Sequence, residues 1–206
     1  SRGSGIDGLA AMPLVSYRDG VRLIRPLLSV PRARIEATAV ARSLEPVSDP
    51  SNLDRRYARV RMRDKLALLE AQGVPATAIA GAARMFGQMR AARDRAVAAL
   101  AGDIAVLHVQ GYAEIDRQGL AAADPVSARG LIAAMLMSVG GLEYPPRRER
   151  LDRLMADIVA NNDFRPRTLG NCVIGTRGEN FIIRREHRTI RHVVPVVAGA
   201  RVIWDG

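Results

Sequence analysis

The chain has 206 residues, 48% of them hydrophobic, which is enough to bury a core in one or two domains. Three Phe, four Tyr and one Trp leave that core to Ala, Leu, Val, Ile and Met, and the single Cys172 excludes an internal disulfide and a cysteine-rich zinc site. A formal charge of +10 and a pI near 11.1 favour a polyanionic partner. Lys65 is the one lysine, so thirty of the 31 basic residues are arginine, a bias that phosphate recognition and a GC-rich coding sequence explain equally well. No run of about 18 apolar residues occurs and the start matches neither a signal nor a transit peptide, so no membrane partner is expected and the chain is read as cytoplasmic.

Residues 1–20 are glycine-rich and end in Tyr17-Arg18-Asp19-Gly20, a turn before the next strand. Arg2-Gly3-Ser4-Gly5 offers flexible amides able to approach a phosphate, with a plain loop as the competing reading. Val21 to Leu28 reads as a strand that Pro26 ends or confines to an edge. Pro31 opens a helix to about Ser43, with Ile35, Ala39 and Val40 inward. Asp49-Pro50-Ser51-Asn52 is a turn leading into a helix that begins with guanidinium groups: Arg55, Arg56, Arg59, Arg61, Arg63 and then Lys65, with Asp64 the one acid inside that run. Helical spacing puts Arg55, Arg59 and Arg63 on one face, with Arg56 beside them, and turns Tyr57, Met62, Leu66 and Leu69 inward. A planar fork that donates two parallel bonds suits phosphate oxygens. A solvated helix face is the alternative.

The helix continues from Leu66 and stops at Gly73, with Pro75 just beyond. A longer helix is predicted from Pro75 to Leu100 or further, with Ile79, Ala82, Phe86, Met89, Ala96 and Leu100 along its seam and Arg93 interrupting it. Residues 105–116 read as one or two short strands bent at Gly111, with His108 satisfied by a backbone group. Asp124-Pro125 introduces a helix that Ser127 caps, with Leu131, Ile132, Met135, Leu136 and Val139 buried, ending at Gly140-Gly141. Pro145-Pro146 starts another, with Leu151, Leu154, Met155 and Ile158 inward and Arg147, Arg148, Arg150 and Arg153 outward among Glu149, Asp152 and Asp157. That mixture of signs reads as a solvated face.

After Asn161-Asn162 the pattern turns to strands, with Cys172–Ile174 and Phe181–Arg185 as a hairpin and Cys172 as an ordinary buried residue. Arg184, Arg185, His187, Arg188, Arg191 and His192 form a second basic cluster, either a nucleic-acid contact or a charged edge. Val193–Val197 and Arg201–Trp204 suggest one more hairpin.

Arg2-Gly3-Ser4-Gly5, Arg25-Pro26-Leu27-Leu28, Asp49-Pro50-Ser51-Asn52 and Arg59-x-x-x-Arg63, followed by Tyr144-Pro145-Pro146-Arg147, Thr168-Leu169-Gly170-x-Cys172 and Arg185-Glu186, resemble the tRNA(Ile)-lysidine synthetases in order and spacing. That family usually has Asn where this chain has Val60, so one polar contact is absent. The resemblance implies an α+β, mainly helical fold: residues 1–64 as the tail of an α/β adenylation (PP-loop ATPase) domain with a basic linker, 65–163 as a helical tRNA-binding or substrate domain, and 164–206 as short C-terminal β-hairpins. The family's Ser-Gly-Gly-x-Asp-Ser nucleotide loop does not occur here and is expected upstream of Ser1, with the chain read as a fragment whose last strand is unfinished.

The resemblance also implies a reaction. ATP with Mg2+ adenylates the oxygen at C2 of the wobble cytidine in tRNA(Ile), and the amine of free lysine displaces AMP. The stretch in hand is expected to bind tRNA through Arg55, Arg56, Arg59, Arg61 and Arg63, with Arg2 near the reacting base and Gly3, Ser4 and Gly5 near the nucleotide. ATP and Mg2+ are not expected to bind it tightly, and neither a catalytic residue nor a metal ligand is assigned. Lysine and ATP are further partners of the whole enzyme, and a homodimer stays open. Without the resemblance, the residues describe a non-enzymatic basic helical module that binds nucleic acid or an acidic protein.

Overall fold

The structure, a computed structural model, describes residues 5–18, 21–45, 47, 49–52, 54–160, 164–190, 195 and 197–199, which fall into two compact units, Ser1–Arg90 and Ala91–Gly206.

In the first unit a four-residue helix α1 (Ile6–Leu9) precedes strand β1 (Val15–Arg18), which pairs antiparallel with β2 (Val21–Ile24), Tyr17 opposite Arg22. The stretch expected to be only a turn thus contributes a strand. Arg25 ties the hairpin to the loop before it, its amide donating to the Leu14 carbonyl (2.8 Å) and its Nη1 to the Pro13 carbonyl (3.2 Å) and Ser16 Oγ (3.0 Å). Helix α2 (Arg32–Ala41) follows Pro31 as predicted, and its end is closed by Ser43 in the left-handed region, where the Leu44 amide reaches the Ala39 carbonyl (2.9 Å). Helix α3 (Ala58–Ala71) ends the same way on Gly73, with the Val74 amide on the Leu69 carbonyl (2.9 Å). Helix α4 (Ala76–Ile104) starts in this unit and runs into the second.

Among the described residues of the first unit only Ala10 is a buried hydrophobic. Ile35, Val40, Tyr57, Met62 and Leu69, expected inward, are all exposed. Spacing tells which side of a helix is apolar but not what covers it, and a two-stranded hairpin supplies no second layer.

The second unit is built on a five-stranded antiparallel sheet ordered β3-β4-β7-β6-β5, from β3 (Ala105–His108), β4 (Tyr112–Asp116), β5 (Arg167–Leu169), β6 (Cys172–Arg177) and β7 (Asn180–Arg185). It draws strands from both sides of residue 163. Alternation sends Ala113, Ile115, Cys172, Ile174, Phe181 and Ile183 to one face. Helix α6 (Pro125–Gly140) covers that face with Leu131, Ile132 and Leu136, and α7 (Arg148–Ala160) adds Leu151 and Leu154. Val97, Leu100 and Ile104 from the end of α4 pack alongside, and the Phe164 ring meets Phe181 edge-on at 5.3 Å. Cys172 is buried as expected, its thiol pushed up to about 11 by desolvation and directed at the Leu136 carbonyl (3.7 Å).

Three local expectations need correction. The cap of α6 is Asp124, whose carboxylate accepts from the Ser127 amide (2.8 Å), because Pro125 already occupies the first helical position. A short helix α5 (Arg117–Ala122) intervenes before it, capped by Asp116 through the Gly119 amide (2.6 Å). His108 is held by side chains, stacked on Tyr112 with 4.3 Å between ring centroids and with Nε2 3.7 Å from Glu114. The hairpin expected over 193–204, with Arg191 and His192, lies outside the described residues apart from Pro195, Val197, Ala198 and Gly199, none of which is in a strand. The fold is α+β and mainly helical, with small antiparallel sheets. Among the described residues no single helix is long and apolar enough to cross a membrane.

Candidate nucleic-acid interface

The arginine-rich stretch begins as a turn. Pro50–Asn52 is one turn of 3-10 helix, closed by the Asn52 amide on the Asp49 carbonyl (3.0 Å). Asp54 then folds the chain back: its carboxylate accepts from the amide of Arg56 (2.9 Å) and from Arg56 Nε (2.8 Å), while its carbonyl accepts from the Tyr57 amide (3.1 Å). This bend delays α3 until Ala58, so Arg55 and Arg56 precede the helix rather than sitting on its face. The expected stripe is therefore corrected: Arg59, Arg61 and Arg63 are helical, whereas Arg55 and Arg56 project from the turn.

Each guanidinium has a distinct setting. Arg56 Nη2 lies 2.7 Å from Asp54, and that guanidinium, followed by the Arg56 amide, holds the Asp54 carboxyl below the usual carboxylate range, while Arg56 is raised in return. Arg55 Nε lies 3.2 Å from Asp64. Arg61 Nη1 donates to the carbonyls of Arg55 (2.9 Å) and Arg56 (2.7 Å), satisfying both acceptors of the bend. Arg63 and Lys65 are exposed and make no ion pair among the described residues. The side chain of Arg59 lies outside the described set, as do Arg2, Gly3 and Ser4. Gly5 is exposed at the head of α1, its carbonyl accepting from the Gly8 amide (3.0 Å).

The two carboxylates do not neutralise the stretch. From Asp54 to Lys65 there are six cations and two acids. The Arg55 and Arg56 side chains are 79% and 88% exposed, and ion pairs that open to water contribute little, so another anion can replace the carboxylate. Tyr57 at the head of α3 supplies no side-chain cap, which leaves the positive end of the helix beside the guanidinium groups. Asp54 is the partner of these arginines that sequence reasoning missed. Its signal was an acid two positions before Arg56, just outside the run of cations.

A PP-loop domain model matches residues 1–70. Among relatives, the tRNA(Ile)-lysidine synthase of Ruegeria pomeroyi is 32% identical over 205 residues, taking in 100% of this chain and 47% of its own length. That of Methylobacterium nodulans is 36% identical over 194 residues, 89% of this chain and 56% of its own length. This chain belongs to the tRNA(Ile)-lysidine synthase family. The motif matches are thus not accidental, and the chain spans about half the length of these lysidine synthases. The synthase of Ralstonia nicotianae is 41% identical over 132 residues, 64% of this chain.

Proposed function

We propose that this chain is the RNA-holding part of an ATP-dependent carbon–nitrogen ligase that joins lysine to the wobble cytidine of tRNA(Ile) in the cytoplasm. The observation that carries the reading is the basic stretch at the head of α3, in a chain of the lysidine synthase family: six cations against two acids, with Arg55, Arg56, Arg61 and Arg63 all exposed. In this reading those four, with Arg59, contact backbone phosphates. Arg2 lies near the reacting base, and Gly3, Ser4 and Gly5 lie beside the nucleotide.

A phosphate that takes the place of Asp54 or Asp64 keeps the guanidinium's bonds and releases condensed counterions, so exchange is favoured by low salt. Such contacts orient the RNA without reading its sequence. The chemistry assigned to the whole enzyme is adenylation of the C2 oxygen of the cytidine, which makes that oxygen a leaving group for attack by lysine's amine. Magnesium bound with ATP would screen phosphate charge. No group of three or more His, Cys, Asp or Glu that could hold a metal occurs among the described residues.

The test is fluorescence anisotropy with a labelled tRNA(Ile) transcript over a series of salt concentrations. Log affinity is expected to fall linearly with log salt, and Arg59→Ala with Arg63→Ala is expected to flatten the slope by about two, one for each phosphate that is no longer neutralised. An unchanged slope in that variant and in Arg55→Ala with Arg56→Ala rejects the reading.

A further inference from the structure

The second unit holds a cleft of about 590 Å³ between α7 and the β5–β6 hairpin, lined by Arg150, Arg153, Asp157, Arg167, Asn171 and Glu186 among others. It brings together α7, the Thr168-Leu169-Gly170-Asn171 stretch and Glu186, and nothing in the proposed role of α3 uses them.

The floor of this cleft is firmly built. Gly170 and Asn171 have φ of +60° and +61° and form the two-residue turn between β5 and β6, a mirror-type turn that needs both residues in the left-handed region. Gly140, at the end of α6, lets that turn approach: a Cβ there would stand 2.1 Å from the Gly170 carbonyl oxygen. The Asn171 side-chain amide donates to the Gly140 carbonyl (3.2 Å), and the Asn171 carbonyl accepts from the Glu186 amide (2.7 Å). The turn is therefore fixed to α6 on one side and to the end of β7 on the other.

The walls carry an uneven charge. Of the acids on α7, Asp152 is taken by Arg129 (3.0 Å) and Arg148 (3.5 Å), and Asp157 by Arg167 (2.8 Å). Arg150 and Arg153 are left exposed and without an ion pair among the described residues. The helix face read from sequence as solvated is thus divided: Asp152 and Asp157 are paired with other arginines, Glu149 at the head of the helix has no ion pair among the described residues, and Arg150 and Arg153 line the cleft. Glu186 lines the same cleft without an ion pair of its own among the described residues. A seat for an anion alone gains nothing from a carboxylate in its wall, whereas a ligand that presents an anion and a hydroxyl close together uses both.

We infer that this cleft seats one sugar–phosphate unit of an RNA backbone, the phosphate on Arg150 and Arg153 and a ribose 2′-hydroxyl donating to Glu186. The volume suits one nucleotide unit, the paired forks suit a phosphodiester, and the 2′-hydroxyl is the group by which a protein tells RNA from DNA. The inference rests on the reading that the chain holds RNA and adds a second contact, specific for ribose, to the phosphate contacts of α3.

The test uses the full chain with a labelled tRNA(Ile) transcript and a DNA strand of the same sequence. Arg150→Ala with Arg153→Ala is expected to weaken RNA binding about tenfold and to lower the salt slope by about two. Glu186→Gln is expected to leave the slope unchanged while reducing the preference for RNA over DNA several-fold. Arg150→Lys with Arg153→Lys, which keeps the charge, should retain the slope and lose part of the affinity, and unchanged far-UV circular dichroism shows that each variant is folded. Should the wild-type chain bind RNA and both the double-alanine and the Gln variants match it, the cleft proposal is overturned while the role of α3 stands. If inorganic phosphate protects the cleft as well as RNA does and Glu186→Gln changes nothing, the ribose contact is overturned. If the wild-type chain binds neither nucleic acid, both readings fall.

Discussion

The two units obey the same local rules and differ in what those rules achieve. In the second, helix and strand periodicities point at one another, and fifteen residues from Ala113 to Ile183 close a common core. In the first, β1, β2, α2 and α3 form where their residues favour them, yet Leu23, Ile24, Leu27, Leu28 and Val40 remain exposed and, among the described residues, Ala10 alone is a buried hydrophobic. Secondary structure is thus a local property here, whereas burial needs a second layer, and among the described residues only the second unit has one.

Substitutions can sharpen this contrast. Truncating the core, as in Phe181→Ala, should destabilise the second unit by about 3–5 kcal/mol in denaturant unfolding followed by far-UV circular dichroism. Gly140→Ala places a methyl group against the Gly170 carbonyl, where neither backbone can yield easily, and should cost about 1–3 kcal/mol. Asp124→Ala should have a smaller effect, with a pH dependence that identifies its origin. The Ser127 amide, then the Ser127 side chain, hold the Asp124 carboxyl below the usual range. Its folded value is lower than its unfolded one, so its contribution is present above about pH 4 and is lost as pH falls through the folded value. The gap between wild type and Asp124→Ala should therefore be full at pH 7 and narrow in acid. Leu23→Ser, on the exposed hairpin of the first unit, should change stability by no more than about 0.5 kcal/mol. A core-sized loss there would show that the two units do not differ as described.

What the sequence disclosed follows the same division. The long periodic helices α4, α6 and α7 and the strands around Phe181 were legible because many residues repeat one signal. Strand β5 has three residues and α5 has six, too few for a period to stand out. Ser127 competes with Asp124 for the cap of α6 because both residue types favour that role, and only the position of Pro125 separates them. In the arginine-rich stretch, residue types were legible and their geometry was not: a single carboxylate, Asp54, bends the chain through Arg56 and removes two arginines from the helix. The cleft in the second unit depends on residues some thirty positions apart meeting at Gly140 and Gly170, a contact that no local pattern announces.

The most direct examination of the functional account is hydrogen exchange of the chain with and without tRNA(Ile). Protection is predicted to rise across residues 54–65, where the bend and the first turns of α3 present their guanidinium groups. Saturating tRNA that leaves exchange in that segment unchanged would contradict the account.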